Sequence, residues 1–276
     1  MGAFAFPDID PVMFSIGPVA VRWYGLAYII GFIAAGWIFY VLNRRWKLGL
    51  TGDDAMTAVL YSVIGVLVGG RLGYVLVYGG PEYWREPVRI LQTWQGGMSW
   101  HGGFVGIVIA GVLLARKWKM PFVRLADLAA VGAPVGFGLG RLANFANNEL
   151  WGRTTDVPWG VVFPGAGPVP RHPSQLYEAL LEGVVMFAIL LWLARRRRPE
   201  GLLFGTFMLL YGAFRFVVEF FREPDSQLGF LWGDATMGQL LSVPLVLLGG
   251  YFVWRASRRR DTGDVALTVG NAPEKD

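Results

Sequence analysis

"AMTAVLYSVIGVLVGGRLGYVLVY", residues 55 to 78, holds a single charged side chain, Arg71, over a run long enough to cross the ~30 Å hydrocarbon layer of a bilayer. A helix on the surface of a soluble domain would show a polar stripe every third or fourth residue. This run has none, so lipid is the expected solvent. In lipid every backbone N–H and C=O must be paired within the segment, which makes each crossing a helix. Comparable runs cover residues 18–42, 125–145, 174–194, 201–221 and 239–254. A shorter one, 102–115, follows "GGMSWH" and is expected to extend back into it. The expectation is an all-α polytopic membrane protein with seven transmembrane helices.

Composition agrees. Of 276 residues 54% are hydrophobic and 16% charged, and mean hydropathy is +0.44, whereas soluble domains carry about a quarter charged residues. The 12 tryptophans and 10 tyrosines suit two membrane interfaces. There is no cysteine, hence no disulfide, thiolate ligand or cysteine nucleophile. The two histidines, His101 and His172, are too few for a histidine metal site, and no cofactor is expected. The opening "MGAFAFPDIDPVMF" lacks the basic start of a signal peptide.

The basic residues set a direction. With the N-terminus outside, the inner segments hold Arg44, Arg45, Lys47, Arg116, Lys117, Lys119, Arg124, Arg195 to Arg198, Arg255, Arg258 to Arg260 and Lys275. The outer segments hold only Arg22, Arg85, Arg89, Arg153, Arg171 and Arg222. The positive-inside rule then predicts N-out and C-in. The pI near 9.6 is therefore a topology signal. Nucleic-acid binding is not expected, because no basic stretch is interleaved with stacking aromatics. Residues 1–260 read as one integral-membrane domain with an interfacial arm at 79–100, expected as a helix lying in the interface, and a small extracytoplasmic cap at 147–173. Residues 261–276 read as a disordered cytoplasmic tail.

Charges inside spans are costly and mark function by default. Arg71, Arg141, Glu178, Glu182, Arg215 and Glu219 all fall in the outer half of the expected spans, within roughly 3–12 Å of their outer ends at about 1.5 Å per residue. A conduit would spread polar groups through both halves. A site for a lipid head group would not. Arg215 and Glu219, four apart, can simply pair with each other. Arg141 has no carboxylate three or four residues away, and an unpaired guanidinium matches phosphate. Arg71 is likewise unpaired in its own helix, with Gly69, Gly70 and Gly73 leaving room beside it; with Glu178 and Glu182 it is held as either supporting the site residues from behind or structural. Those two carboxylates are four apart, so either one is protonated or each faces an arginine on another helix.

Arg141 lies in "GRLANFANNELWG", residues 140–152. G-R-x-x-N-F-x-N-x-E-x-x-G resembles the signature of bacterial prolipoprotein diacylglyceryl transferases, filled here by Gly140, Arg141, Asn144, Phe145, Asn147, Glu149 and Gly152. "FSIGPVAVRWYGLAY" (14–28), "GGRLGYVL" (69–76), "GGMSWHGG" (96–103), "RHPSQLYEALLEG" (171–183) and "YGAFRFVVEFFREPD" (211–225) are similar to the family's other blocks, in order. The resemblance spans about residues 7–256. It implies a bacterial inner-membrane enzyme whose site faces the outer leaflet. Such an enzyme moves the diacylglyceryl group of phosphatidylglycerol onto the lipobox cysteine thiol of a prolipoprotein signal peptide, releasing glycerol phosphate.

That chemistry needs a thiolate and a stabilised leaving phosphate. Arg141 is assigned to the phosphate, with Asn144, Glu149 and Gly152 around the head group. Arg215, with Glu219, is a second clamp. Tyr24 either touches the head group or anchors the interface. His101 is the candidate base, since imidazoles titrate near pH ~6.5. The alternatives are an interfacial histidine that only bonds a head group, and arginines that lower the thiol pKa unaided. A retinal protein is excluded because all four lysines, Lys47, Lys117, Lys119 and Lys275, sit in inner segments. The alternative function is an outer-leaflet anionic-lipid binder or lipid transporter without transferase chemistry.

Overall fold

Each long apolar run folds as a helix, and the turns between runs are set by local chemistry. The computed structural model describes residues 4–17, 19–224, 231 and 235–258; the expected tail at 261–276 lies outside them. After strands β1 (Phe4–Ala5), β2 (Val12–Ile16) and β3 (Val19–Arg22) come helices α1 (Trp23–Trp46) and α2 (Gly52–Val77). Helix α1 stops where Lys47 turns left-handed at φ 53°. A capping box starts α2: the Asp54 N–H donates to Thr51 Oγ1 at 3.1 Å and the Thr51 N–H to Asp54 Oδ2 at 2.8 Å. Short α3 (Glu82–Arg85) precedes α4 (Trp100–Lys117) and α5 (Phe122–Ala146). Strand β4 (Val161–Val162) lies in the cap. The next rod is α6 (Ser174–Glu178), a π-helical stretch Ala179–Val185 and α7 (Met186–Leu193), followed by α8 (Leu202–Val218) and α9 (Met237–Arg258).

Five helical rods, Trp23–Trp46, Gly52–Val77, Phe122–Ala146, Ser174–Leu193 and Met237–Arg258, are long and apolar enough to cross a membrane. Helix α8 is apolar but shorter, and α4 has His101 in its first turn and Arg116 and Lys117 in its last. The chain is thus mostly helical and multi-pass. Its outward side chains, among them Ile33, Trp37, Leu76 and Leu247, are more than half exposed. Such a surface is a liability in water and a lipid contact in a bilayer.

The all-α expectation needs amending. The run 18–42 begins too early: Val19–Arg22 pairs antiparallel with Val12–Ile16 as a hairpin before α1, because alternating "VAVR" suits a strand. Strand β1 pairs in parallel with β4, so the N-terminal segment becomes part of the cap.

The helices pack as pairs, α1 on α5, α2 on α4 and α8 on α9. Where α2 meets α4 the backbones nearly touch: a Cβ on Gly106 would lie 1.9 Å from the Gly65 carbonyl oxygen. Small residues permit such contact in lipid, where dispersion rather than water expulsion drives packing. At the basic end Leu42, Trp46, Leu128, Val131, Met186, Leu190 and Leu203 form the dry core. Asp127, buried there, accepts from the N–H groups of Gly201 at 2.8 Å and Phe204 at 2.9 Å, supplying from α5 the cap that α8 lacks.

The arm departs from the expected single helix. Residues 79–99 hold α3 and two short 3-10 turns, because Arg71 takes their carbonyls. Its Nε donates to Ile90 at 2.9 Å, Nη1 to Gly96 and Gly97 at 2.5 and 2.9 Å, and Nη2 to Arg89 and Gln92 at 2.6 and 3.3 Å. A regular helix would have used those carbonyls itself. Backbone, and not an anion, fills this buried guanidinium, in line with its structural assignment. We expect Arg71→Met to speed tryptic cleavage at exposed Arg85 and Arg89 more than tenfold while circular dichroism keeps the helical signal. Unchanged cleavage would mean that the arm is held by something else.

Candidate active site

Two of the carboxylates, Glu178 and Glu182, come from one rod. The π-helical stretch after α6 brings Gly183 against α5, where an added Cβ would stand 2.7 Å from Gly138 Cα. Arg141, one turn along α5 from that contact, then meets both acids: its Nε lies 3.0 Å from Glu178 Oε2 and 3.8 Å from Glu182 Oε2. π-Bulges are often found at functional sites. On α8, Arg215 pairs with Glu178 through Nη1 and with Glu219 through Nη2. Arg222, just beyond α8, reaches Glu178 at 3.5 Å and Glu219 at 3.9 Å. Three guanidinium groups thus share three carboxylates. Glu178, wholly buried, ties all three arginines together. Glu219 also accepts from Thr236 Oγ1 at 2.6 Å.

These arginines are not equivalent. Both terminal nitrogens of Arg215 sit on carboxylates. The Arg141 side chain is 20% exposed, its closest approach to each acid is through Nε, and it makes no hydrogen bond among the described residues. Its charge is compensated while its Nη fork stays open. An ion held this way remains charged and can still receive a planar pair of oxygens.

A second group lies beside it. Buried Asn144, three residues on from Arg141, donates through Nδ2 to Tyr24 Oη and to Glu149 Oε1, each at 2.8 Å. Glu149 is positioned in turn by Gln175, whose Nε2 donates to its carbonyl at 2.7 Å. The signature's polar residues therefore join α5 to α1 and α6. Gly152 plays another part: its N–H donates to the His172 carbonyl at 2.9 Å and the neighbouring Arg153 N–H to Phe221 at 2.8 Å. A Cβ at 152 would stand 2.5 Å from the Phe221 oxygen and 2.6 Å from that of His172. Only glycine fits where the cap is stitched to the end of α8. His172, in the cap, packs its ring on Tyr177 and Phe221, and burial lowers its pKa below the usual histidine value.

The structure thus brings together Arg141, Arg215 and Glu219 through Glu178, and Tyr24, Asn144 and Glu149 by direct hydrogen bonds. His101 stands apart. It is exposed in the first turn of α4, edge-on to Trp100 at 5.3 Å between ring centroids, and has no hydrogen bond or ion pair among the described residues. Glu178 and Glu182, read from the sequence as supporting or structural and as facing an arginine on another helix unless one is protonated, are the partners that Arg141 lacks in its own helix. Arg222, read as an outer-segment charge, belongs to the same cluster. Its spacing of three from Glu219 was the available signal.

The same arrangement of blocks is shared widely. A profile described as prolipoprotein diacylglyceryl transferase matches residues 11–255. The chain belongs to this family. It is 56% identical over 255 residues to the phosphatidylglycerol–prolipoprotein diacylglyceryl transferase of Geobacter sulfurreducens, covering 92% of this chain and 98% of that one. It is 50% identical to the equally named proteins of Mannheimia succiniciproducens, over 93% of this chain and 96% of the relative, and of Vibrio cholerae, over 90% and 92%. Within the diacylglyceryl transferase fold, then, Arg141 and its acids occupy the end of the bundle that carries the cap.

Proposed function

We propose that the chain transfers the diacylglyceryl group of phosphatidylglycerol to the lipobox cysteine thiol of a prolipoprotein, forming a thioether and releasing glycerol phosphate. In this reading the chain crosses a bacterial inner membrane seven times, N-out and C-in, with the cap and the charge cluster at the outer leaflet. The observation that carries the reading is the fork of Arg141, whose Nε lies against Glu178 and Glu182 while its Nη groups make no hydrogen bond among the described residues. Names borne by relatives at about 50% identity supply the lipid and the acceptor.

In this reading the phosphate of the lipid docks on the Nη groups of Arg141. Asn144, Glu149 and Tyr24 line the neighbouring polar face and orient the glycerol. The acceptor S–H gives its proton to His101. The sulfur electron pair then forms the C–S bond to the glyceryl CH2, the C–O bond to phosphate breaks, and glycerol phosphate leaves as the anion with the C–O bonding pair. Arg141, and Arg215 by trading Glu219 for the leaving oxygen, stabilise the charge that develops. Chain segments dock in the plane of the bilayer, so the thiol and the scissile carbon meet already oriented.

Labelled phosphatidylglycerol in proteoliposomes tests the reaction. Label should move to a lipobox peptide, with glycerol phosphate released, and not to the same peptide with serine for cysteine. Lipid binding without transfer would leave an anionic-lipid binder and withdraw the chemistry. For the base, His101→Gln is expected to lower transfer roughly 100-fold and to be rescued by a peptide thiol of lower pKa. A variant with the ordinary rate and pH profile would remove His101 from that role.

A further inference from the structure

Arg141, Arg215 and Arg222 meet Glu178, Glu182 and Glu219 in one cluster, so its two signs balance. The charges around it balance too. Arg153 reaches the Glu219 carbonyl from the cap, Glu149 joins through Asn144, and Arg171 pairs with Glu223. Among the described residues, then, the site is neutral before any lipid arrives. A phosphodiester is a monoanion, and one that docks on Arg141 lands beside two carboxylates. The site would then hold an excess negative charge away from bulk water, which is costly. A carboxylate that takes up a proton removes the excess.

Geometry selects which carboxylate. Glu178 lies against Arg141 at 3.0 Å, against Arg222 at 3.5 Å and against Arg215. Glu219 pairs with Arg215 and accepts from Thr236 Oγ1 at 2.6 Å. Glu182 has the weakest hold of the three, an approach of 3.8 Å from Arg141 Nε that is too long for a hydrogen bond. It is 1% exposed, so bulk solvent does not screen it. The groups that face it are Glu178 on its own rod, Arg141 on α5, Tyr211 and Arg215 on α8, and Arg222 just beyond α8. A phosphate on Arg141 becomes a second negative neighbour after Glu178. We propose that docking of the anionic lipid is coupled to uptake of a proton from solvent by Glu182. The proposal rests on the reading of Arg141 as the phosphate site, and it gives Glu182 a direct part in lipid affinity.

Calorimetry tests this without chemistry. Phosphatidylglycerol is titrated into the whole protein in a neutral detergent, with no peptide present, in buffers of different ionisation enthalpy. The dependence of the heat on the buffer counts protons, and at about pH 8 the unaltered protein should take up about one per lipid. The phosphodiester does not titrate in this range and contributes none. Because the bound site holds more protons than the free one, Kd should rise with pH, by up to about tenfold per unit. Glu182→Gln, neutral from the start, should take up no proton, lose the pH dependence and bind about tenfold tighter than the parent near pH ~9. His101→Gln should keep the full count. Lipid binding by the unaltered protein with no proton uptake would overturn the proposal, whether or not a variant folds. So would a count that survives Glu182→Gln or vanishes with His101→Gln, since another group would then hold the proton. Equal binding of zwitterionic phosphatidylcholine would instead defeat the reading of Arg141 as an anion site, and the proposal with it.

Discussion

Arg141→Lys is expected to cut kcat/KM for phosphatidylglycerol at least ~100-fold, the usual loss when a donor aimed at developing charge is removed. Lysine keeps the positive charge near Glu178 and Glu182 but cannot present two parallel N–H groups. The acids should therefore still be paired and the protein still folded, with a melting temperature within a degree or two of the parent. The KM for the lipobox peptide should stay near its parent value, because the lost contact is to the lipid phosphate. Transfer assays at several lipid concentrations, alongside a melt in detergent, check both halves. Near-parent transfer would mean that Arg141 acts as a point charge, and the open fork would lose its meaning.

Glu178→Gln should lower stability as well as transfer. Glu178 is wholly buried and lies against Arg141, Arg215 and Arg222 together. Neutralising it leaves three guanidinium groups facing two carboxylates away from bulk water. Breaking a buried ionic group of this kind costs about 3–5 kcal/mol. On the usual scaling that is a fall in melting temperature on the order of 10 °C. Transfer should fall as well, because Arg141 and Arg215 would lose the anchor that sets their geometry. A Glu178→Gln protein that melts like the parent would show that solvent or lipid already screens the cluster, contrary to its burial. The two substitutions differ by one interaction partner, so the pair separates what the cluster does for chemistry from what it does for the fold.

Much of this was legible along the chain because the bilayer imposes a simple rule. A run such as 55–78 with one charge has to be a helix, and a charge inside it has to be explained. The rule brought Arg71, Arg141, Glu178, Glu182, Arg215 and Glu219 to notice together. It also failed in instructive places. "VAVR" at 19–22 was absorbed into an apolar run although its alternation suits a strand, since hydropathy counts side chains and ignores period. The arm was expected as a helix because aromatic and basic residues alternate with apolar ones there. A buried arginine elsewhere, Arg71, claims its carbonyls and wins over local propensity.

By itself, then, the sequence determined the solvent, the helical class, the residues whose charge demands a purpose and, through its motif blocks, the family. Those are properties of composition and spacing, which each segment carries alone. Pairing was decided only in three dimensions. Whether Arg71 met an anion or a ring of backbone carbonyls, and whether Arg141 was unpaired or held by Glu178 and Glu182, depended on which helices touch. The same contacts made Gly152 a seam between cap and bundle and left His101 apart from the charge cluster. Those outcomes turn on close approaches such as Gly138 against Gly183. At such a contact, a few tenths of an ångström across two distant segments settle which buried charges are satisfied and which remain open to a ligand.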